Sequence, residues 1–358
     1  MISEYLNAAL FNFLLNKKKI MNPLSASEES DLWEIASNYL YSGFLTSSLV
    51  FDEKNKNFSN ALEDFNKAYL ISYLSKKSDL LEIAKELNKK NIDFVVLKGM
   101  ALNLEKIYEP GIRQLRDIDI LVRKKDIKAT YELLRNIDYR YMDAETEDRA
   151  EYLYKHHLPP MQNDKKTTIE LHWRATEKYL FKECPLAELL IEEKQESSTH
   201  NSIFVPSLNG LIAHALYHGV LHHHLKHGPI FLFDILQIYK SNDEKWPMDI
   251  AVIKKMGLVD AFSLVKQIIE QTRLEKPLSI KSMHLINDLF KDSNWSSEEE
   301  EISLLGFSNK RFTLKELFLR FKNSFNNLSH VYQVPKTSFK YWAIFFRKVI
   351  GFVKKAKL

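Results

Sequence analysis

A short segment of alternating acidic and apolar residues, Asp117–Val122, constrains the fold of this chain more than any other segment. Side chains along a β-strand point alternately to opposite faces. Asp117 and Asp119 therefore lie on one face, and the apolar residues between and after them lie on the other. The apolar face predicts a strand that packs on helices. The acidic face brings two carboxylates close together, where they repel each other unless a cation lies between them.

A second alternating segment, residues 167–174, supplies a third carboxylate. Its apolar residues lie on one face, and Glu170 and His172 lie on the other. Three acidic side chains on neighbouring strands fit a two-metal phosphoryl-transfer site, in which one ion activates a hydroxyl and the other stabilises a triphosphate. Mg²⁺ binds in such sites through carboxylates and substrate phosphates. We therefore predict a metal site formed by Asp117, Asp119 and Glu170.

Basic residues near these acids are candidates for binding the phosphates. Lys98 and Gly99 follow a short apolar segment, 93–97, which predicts a buried strand that leads into a helix. Free backbone N–H groups at the start of that helix favour an anion near Gly99. Lys98, Arg113 and Arg116 are predicted to reach phosphate oxygens.

The periodicity of the remaining sequence predicts an α+β fold, with a small mixed β-sheet core flanked by N-terminal and C-terminal helical regions. Ser25 and Glu28 have the spacing of a capping box. Within the core we predict helices at 101–107, 125–135 and 145–154, and a hairpin that joins 158–162 to 167–174. The chain returns to helix from about residue 178, with a long helix at 208–227, another at 231–239 and one after Trp295. The predicted divisions are 1–90, 91–176, 177–335 and 336–358.

Several of these segments together resemble the nucleotidyltransferase superfamily with the DNA polymerase β fold, and in particular a bacterial nucleotidyltransferase-like family with flanking helices. The resemblance rests on residues 97–102, Tyr108, Arg113 and 116–122. Residues 169–173 resemble the strand that carries the third carboxylate in that family. Downstream, His214–His218 and Asp234 resemble its helical segment.

The resemblance implies transfer of a nucleoside monophosphate from an NTP such as ATP to a hydroxyl or similar acceptor, with Mg²⁺ or Mn²⁺ as cofactor and pyrophosphate as leaving group. It implies that Asp117 and Asp119 bind metal, that Glu170 is the third carboxylate and general base, and that Gly99 marks the turn at the phosphates. In one respect the chain departs from the superfamily. Met100 follows Gly99 where members usually have a serine that contacts a phosphate. That departure favours an alternative, a catalytically impaired nucleotide-binding or scaffold module, whereas the three carboxylates favour an active enzyme.

A histidine-rich helix gives a second alternative. His214, His218 and His222 are spaced four residues apart and share one helical face. Such a face could bind a transition metal and support a metal hydrolase. The favoured interpretation is that the helix packs on the sheet. His172, His218 and Asp234 are then candidate residues of the acceptor pocket.

Composition limits the partners and the location. The net charge of +4 arises from 51 basic and 47 acidic residues, which does not favour nucleic acid as the acceptor. A small molecule is the first choice and a protein the second. Cys184 is the only cysteine, so no intrachain disulfide forms, and a cytoplasmic setting is expected. Residues 336–358 predict a basic amphipathic helix that closes the core, binds a partner or lies peripherally on the inner membrane face.

Overall fold

The computed structural model describes residues 12–13, 17–38, 41–142, 157–175, 186–222, 230–247 and 250–273. Within these ranges, helices surround a five-stranded mixed β-sheet. This arrangement confirms the predicted α+β class. The helices predicted at 145–154, after Trp295 and at 336–358 lie outside the described residues.

The N-terminal region is mainly helical, as predicted, but it also contains two short strands. These are β1 (Lys19–Ile20) and β2 (Leu49–Val50), which pair in parallel. The helices are α1 (Ala26–Asn38), α2 (Ser42–Ser48) and the long α3 (Lys56–Lys89). The predicted capping box is confirmed, because the Ser25 N–H donates to Glu28 Oε2 at 2.8 Å and the Glu28 N–H donates to Ser25 Oγ at 3.4 Å.

The central sheet has the strand order β3-β4-β7-β6-β5. Strand β4 pairs in parallel with β7 and antiparallel with β3, and the hairpin predicted before β7 is confirmed by the pairing of β6 with β7. The five strands are β3 (Phe94–Val96), β4 (Asp117–Val122), β5 (Arg140–Tyr141), β6 (Met161–Gln162) and β7 (Thr168–His172).

Two helices of this core differ slightly from the predicted bounds. Helix α4 (Lys98–Leu104) begins and ends three residues before the predicted 101–107. It ends in a Schellman motif: Lys106 has a positive φ of 53°, and the Ile107 N–H donates to the Leu102 oxygen. Helix α5 (Ile127–Asn136) follows a short 3₁₀ turn and agrees closely with the predicted 125–135.

The region after residue 178 is not helical throughout, so that prediction was wrong in part. An antiparallel hairpin lies between the first two helices, and the ring of Phe204 packs 5.7 Å from that of Phe94 in β3. The predicted long helix is also shorter, since a π-helix, Tyr217–His222, follows its first nine residues. The elements are α6 (Leu186–Glu192), β8 (Gln195–Ser197), β9 (His200–Val205), α7 (Leu208–Leu216), α8 (Ile230–Ser241), α9 (Ile250–Lys255) and α10 (Val259–Arg273).

Aromatic side chains join the N-terminal and C-terminal helices into one core. The rings of Phe44 in α2 and Phe233 in α8 stack with their centroids 4.3 Å apart, and Phe13 contacts both rings. Tyr108 packs against Phe44 from the loop after α4. The division at residues 90, 176 and 335 stays a prediction. No helix among the described residues combines the length and the apolar character needed to cross a membrane.

Candidate active site

The pairing of β4 with β7 brings two of the predicted carboxylates together. Asp119 lies opposite Glu170 in the parallel register, so both side chains point to the same face. The Leu97 N–H donates to the backbone oxygen of Asp119 at 2.9 Å. This bond extends the pairing of β3 with β4 to the residue before Lys98. The Lys98 side chain then reaches the acids. Its Nζ lies 2.6 Å from Asp119 Oδ1 and 3.7 Å from Glu170 Oε2.

The backbone of Lys98 adopts an unusual conformation at this turn. Its φ is +51°, in the left-handed region that residues with a Cβ rarely adopt. Such a conformation costs roughly 1–3 kcal/mol and persists only where the surrounding structure enforces it. At this point the chain turns directly from β3 into α4, and the ammonium group is held against the carboxylates.

His172 belongs to the same cluster. Its Nε2 lies 2.9 Å from Asp119 Oδ1 and 3.5 Å from Glu170 Oε2, and its side chain is buried. The ring of His157 lies 5.1 Å from that of His172, and the two residues form an isolated antiparallel β-bridge. His172 was predicted to lie in the acceptor pocket. It lies directly against the acids, and its acceptor role stays a prediction.

Opposite charges set the ionisation of this cluster. Burial alone would raise the pKa of Asp119, but the Lys98 ammonium and the His172 hydrogen bond hold it well below its usual range. Burial would likewise raise the pKa of Glu170, and the His172 hydrogen bond and Lys98 lower it instead. For Lys98 and His172, burial acts to lower the pKa, and the carboxylates raise it above its ordinary value. The two acids are therefore ionised and Lys98 is charged near neutral pH.

Asp117 lies in a different environment at the start of β4. Burial, and then the negative charge of Asp119, raise its pKa to about 6. The positive charges of Lys98 and His172 oppose this rise in pKa, but less effectively than they do for Asp119. Asp117 therefore begins to take up protons just below neutral pH in the protein alone.

The donor set fits a divalent cation. One ligand atom each from Asp119, Glu170 and His172 lies within 4.8 Å of the other two. Carboxylate oxygens suit Mg²⁺ and Mn²⁺, and an added imidazole nitrogen suits Mn²⁺ and other transition metals. Asp117 is not among the ligand atoms that meet within this distance, so its predicted part in binding metal stays a prediction.

Arg113 and Asp234, predicted for the phosphate site and the acceptor pocket, pair with each other in a buried network. Arg113 Nε donates to Asp234 Oδ1 at 2.9 Å, and Nη2 donates to Oδ2 at 3.1 Å. The Tyr108 hydroxyl donates to Asp234 Oδ1 at 2.7 Å. A side chain on Gly99 would begin 3.4 Å from Arg113 Nη1, so Gly99 lies close to the guanidinium. These contacts join α8 to the core, and whether Arg113 or Asp234 also contacts substrate stays a prediction.

The two remaining predicted residues lie elsewhere. His218 is in the π-helix, where its ring lies 5.7 Å from that of His214. Arg116 precedes β4. Burial raises the pKa of Tyr69 in α3, and the positive charge of Arg116 partly offsets that rise. In the part of the chain that the structure describes, the three-ligand cluster lies at the acids and not on the histidine helix.

Sequence reasoning missed Lys76, on α3. Its side chain is buried, with 7% of the residue exposed, and Nζ donates to Ser72 Oγ at 2.5 Å. Burial lowers its pKa, and the charges of Asp117 and Asp79 oppose that shift. A signal was present in the sequence, because Lys76 lies on the same helical face as Leu80 and other apolar residues of α3. His157 was also missed, and no spacing in the sequence connects it to His172.

Comparison with known proteins places this geometry in context. The sequence profile of a family described as uncharacterised nucleotidyltransferases matches residues 28–272, well over half of the chain. No curated protein matches the sequence. One solved structure, an antigenic nucleotidyltransferase-like protein from Paracoccidioides brasiliensis, is 14% identical to this chain, with a TM-score of 0.36. The similarity covers 58% of this chain and 96% of that protein. The extent of the profile match, which includes every residue of the acidic cluster, shows that the chain belongs to this nucleotidyltransferase family.

Proposed function

We propose that the protein transfers a nucleoside monophosphate from an NTP, bound with Mg²⁺ or Mn²⁺, to a hydroxyl of a small-molecule acceptor. The observation that carries the proposal is the convergence of Asp119, Glu170 and His172 in a chain of this family. Lys98 supplies a positive charge at the edge of the same cluster. This combination supports phosphoryl chemistry because a triphosphate needs both metal ligands and a fixed cation.

The proposed reaction uses the cluster in two ways, to hold the metal and to accept a proton. Asp119, Glu170 and His172, with Asp117 beside them, would hold the metal, which when bound neutralises charge on the phosphates. The acceptor oxygen forms a bond to the α-phosphorus, and the bond from that phosphorus to the pyrophosphate oxygen breaks. Glu170 takes the proton of the acceptor hydroxyl. It suits this task because it is ionised and, at 18% side-chain exposure against 3% for Asp119, lies nearer to solvent.

Nucleotide binding is the first test. The melting temperature would be measured with ATP, GTP, CTP and UTP, each with and without Mg²⁺, for the wild type and for Asp117→Asn/Asp119→Asn. A ligand at about 100 times its dissociation constant stabilises the native state by about 2.7 kcal/mol. We expect a Mg²⁺-dependent shift with at least one NTP that is lost in the double variant. Asp64→Asn, at an exposed acid of α3, is the matched control and should keep the shift.

Transfer is the second test. The NTP identified by melting, labelled at the α-phosphate, would be incubated with the protein and separate fractions of small metabolites, proteins and RNA. We expect label in the small-molecule fraction, with pyrophosphate released in equal amount. Label in protein or RNA would refute the proposed acceptor class, and absence of any nucleotide shift would refute the nucleotide site itself.

A second function rests on the position of Met100. This side chain is buried and carries no hydroxyl, so α4 offers no serine to a phosphate. A nucleotide-binding module without transfer activity would show the Mg²⁺-dependent melting shift but no transfer to any fraction. The two tests together therefore separate an enzyme from a binding module.

A further inference from the structure

We infer that Lys98 is a built-in counter-cation of Asp119 and Glu170, which a divalent ion displaces and which then binds the triphosphate. On this inference, the metal and the nucleotide bind cooperatively. The metal frees the Lys98 ammonium for the triphosphate, and the triphosphate holds that ammonium away from the carboxylates that bind the metal. The part of the inference that concerns the nucleotide rests on the proposed function. The part that concerns the metal rests on the geometry of Lys98 alone.

The ammonium group lies on the same oxygens that a metal would use. Lys98 Nζ is 2.6 Å from Asp119 Oδ1, and this oxygen also lies 2.9 Å from His172 Nε2. Glu170 Oε2 is 3.7 Å from Nζ and 3.5 Å from the same imidazole nitrogen. A divalent ion binds carboxylate oxygens at roughly 2.0–2.6 Å. An ammonium and a dication on one oxygen would repel each other strongly in this buried setting, so a metal must first displace Lys98.

The side chain of Lys98 has somewhere to go once it is displaced. Its side chain is 22% exposed, against 18% for Glu170, 3% for Asp119 and 2% for His172, so Lys98 and Glu170 are the members of the cluster that reach solvent. A lysine side chain is flexible and carries three donors on its ammonium group. It extends from the turn between β3 and α4, beside the acids where the proposed function places the metal and its triphosphate. A triphosphate that arrives with the metal therefore offers oxygens to the displaced ammonium.

The backbone at Lys98 supports a specific role for this residue. A positive φ at a residue with a Cβ is unfavourable, and glycine would adopt it at lower cost. The next residue is Gly99, so the chain places lysine at the strained position itself. In this conformation the ammonium lies 2.6 Å from Asp119 Oδ1, which is the contact that the inference requires.

Mn²⁺ binding in the absence of nucleotide gives the decisive test, measured by electron paramagnetic resonance of free Mn²⁺. We expect Lys98→Met to bind Mn²⁺ at least about tenfold more tightly than the wild type, a change equal to about 1.4 kcal/mol. Lys125→Met, which removes an exposed lysine from the 3₁₀ turn before α5, is the matched control for net charge and should leave the affinity unchanged. Lys98→Arg keeps the charge and should keep the weak binding of the wild type.

Cooperativity is measured in the same titrations with the NTP present. In the wild type, a saturating NTP should tighten Mn²⁺ binding at least about tenfold, and Lys98→Met should lose most of this factor. Equal Mn²⁺ affinities of the wild type and Lys98→Met would overturn the inference. If Lys98→Met does not fold, equal Mn²⁺ affinity of the wild type with and without NTP would overturn it instead. Should no NTP bind to any variant, the proposed function fails, whereas the titration of Mn²⁺ alone still decides whether Lys98 opposes the metal.

Discussion

The buried network of Arg113, Asp234 and Tyr108 gives the sharpest prediction on stability. The guanidinium and the carboxylate make two parallel hydrogen bonds, and their side chains expose only 11% and 9% of their surfaces. Asp234→Ala would leave the guanidinium buried without its counter-ion. It would also leave the Tyr108 hydroxyl without its acceptor. The consequence is an uncompensated charge inside the protein, which is far more costly than the loss of an exposed ion pair.

The magnitude follows from burial. Removal of one partner of a buried ion pair costs about 3–5 kcal/mol in unfolding free energy. Tyr108→Phe removes only one hydrogen bond to a charged acceptor, for which about 1.5–3 kcal/mol is expected. The double variant Arg113→Met/Asp234→Leu removes both charges. It leaves the Tyr108 hydroxyl without its acceptor and the Gln114 backbone oxygen without its donor, Arg113 Nη1, at about 1–3 kcal/mol each. It leaves no uncompensated charge, and it should therefore be more stable than Asp234→Ala, which loses the same tyrosine acceptor.

Urea denaturation followed by circular dichroism would measure these differences in unfolding free energy. Asp64→Ala, which breaks the exposed pair with Lys67, is the control and should change stability little. A loss below about 1 kcal/mol for Asp234→Ala would contradict the buried-charge argument, since that is the range of an exposed pair. So would a double variant less stable than Asp234→Ala. In that case the ion pair itself would stabilise the fold, and the cost of Asp234→Ala would not arise only from leaving the guanidinium charge uncompensated.

Two further predictions concern the elements around the site. Burial acts to raise the pKa of Asp79, but hydrogen bonds from Thr167 at 2.5 Å and from Lys165 at 2.9 Å outweigh it and lower the pKa. Its stabilising effect is therefore complete above its unfolded pKa near 4 and is lost as the pH falls through the lower folded value. The melting temperature of Asp79→Asn should fall less between about pH 5 and pH 2 than that of the wild type, and parallel curves would contradict this linkage. Gly43→Ala places a Cβ against the backbone oxygen of Ile112 and should lower stability by about 1–3 kcal/mol in the same urea assay, whereas an unchanged midpoint would show that the two segments separate easily.

The parts of the site that follow from local periodicity were predictable from the sequence. Alternation along β4 placed Asp117 and Asp119 on one face, and alternation along the hairpin placed Glu170 and His172 together. The turn from β3 into α4 was predicted from the short apolar segment before Gly99. Each of these inferences needs only the geometry of a strand or a strand end. The parallel pairing that sets Asp119 opposite Glu170 is consistent with them but does not follow from them.

Contacts between distant segments could not be predicted in the same way. Arg113 was assigned to phosphate and Asp234 to the acceptor pocket, yet the two side chains neutralise each other across 121 positions of sequence. Lys76 reaches the neighbourhood of Asp117 from a helix that precedes the core. Periodicity tells which face a side chain lies on, but charge pairing depends on how whole elements pack. The β8–β9 hairpin was missed for a different reason. Strand β8 has only three residues, and the six residues of β9 are three polar followed by three apolar, so neither strand alternates.

Lys98 links the departure in sequence to the chemistry of the site. Asp119 is almost fully buried beside Glu170, and two such carboxylates destabilise a fold unless positive charge lies near them. Lys98 follows β3, the strand that pairs with β4, so the counter-charge reaches Asp119 as soon as these two strands pair. The chain can therefore form its acidic cluster before any ion binds. A serine at the position of Met100 carries no charge and could not neutralise the acids. Lys98 supplies that charge from the turn before α4. If the protein transfers nucleotides as proposed, the absence of the serine therefore leaves the acidic cluster intact and changes only the contacts available to a phosphate.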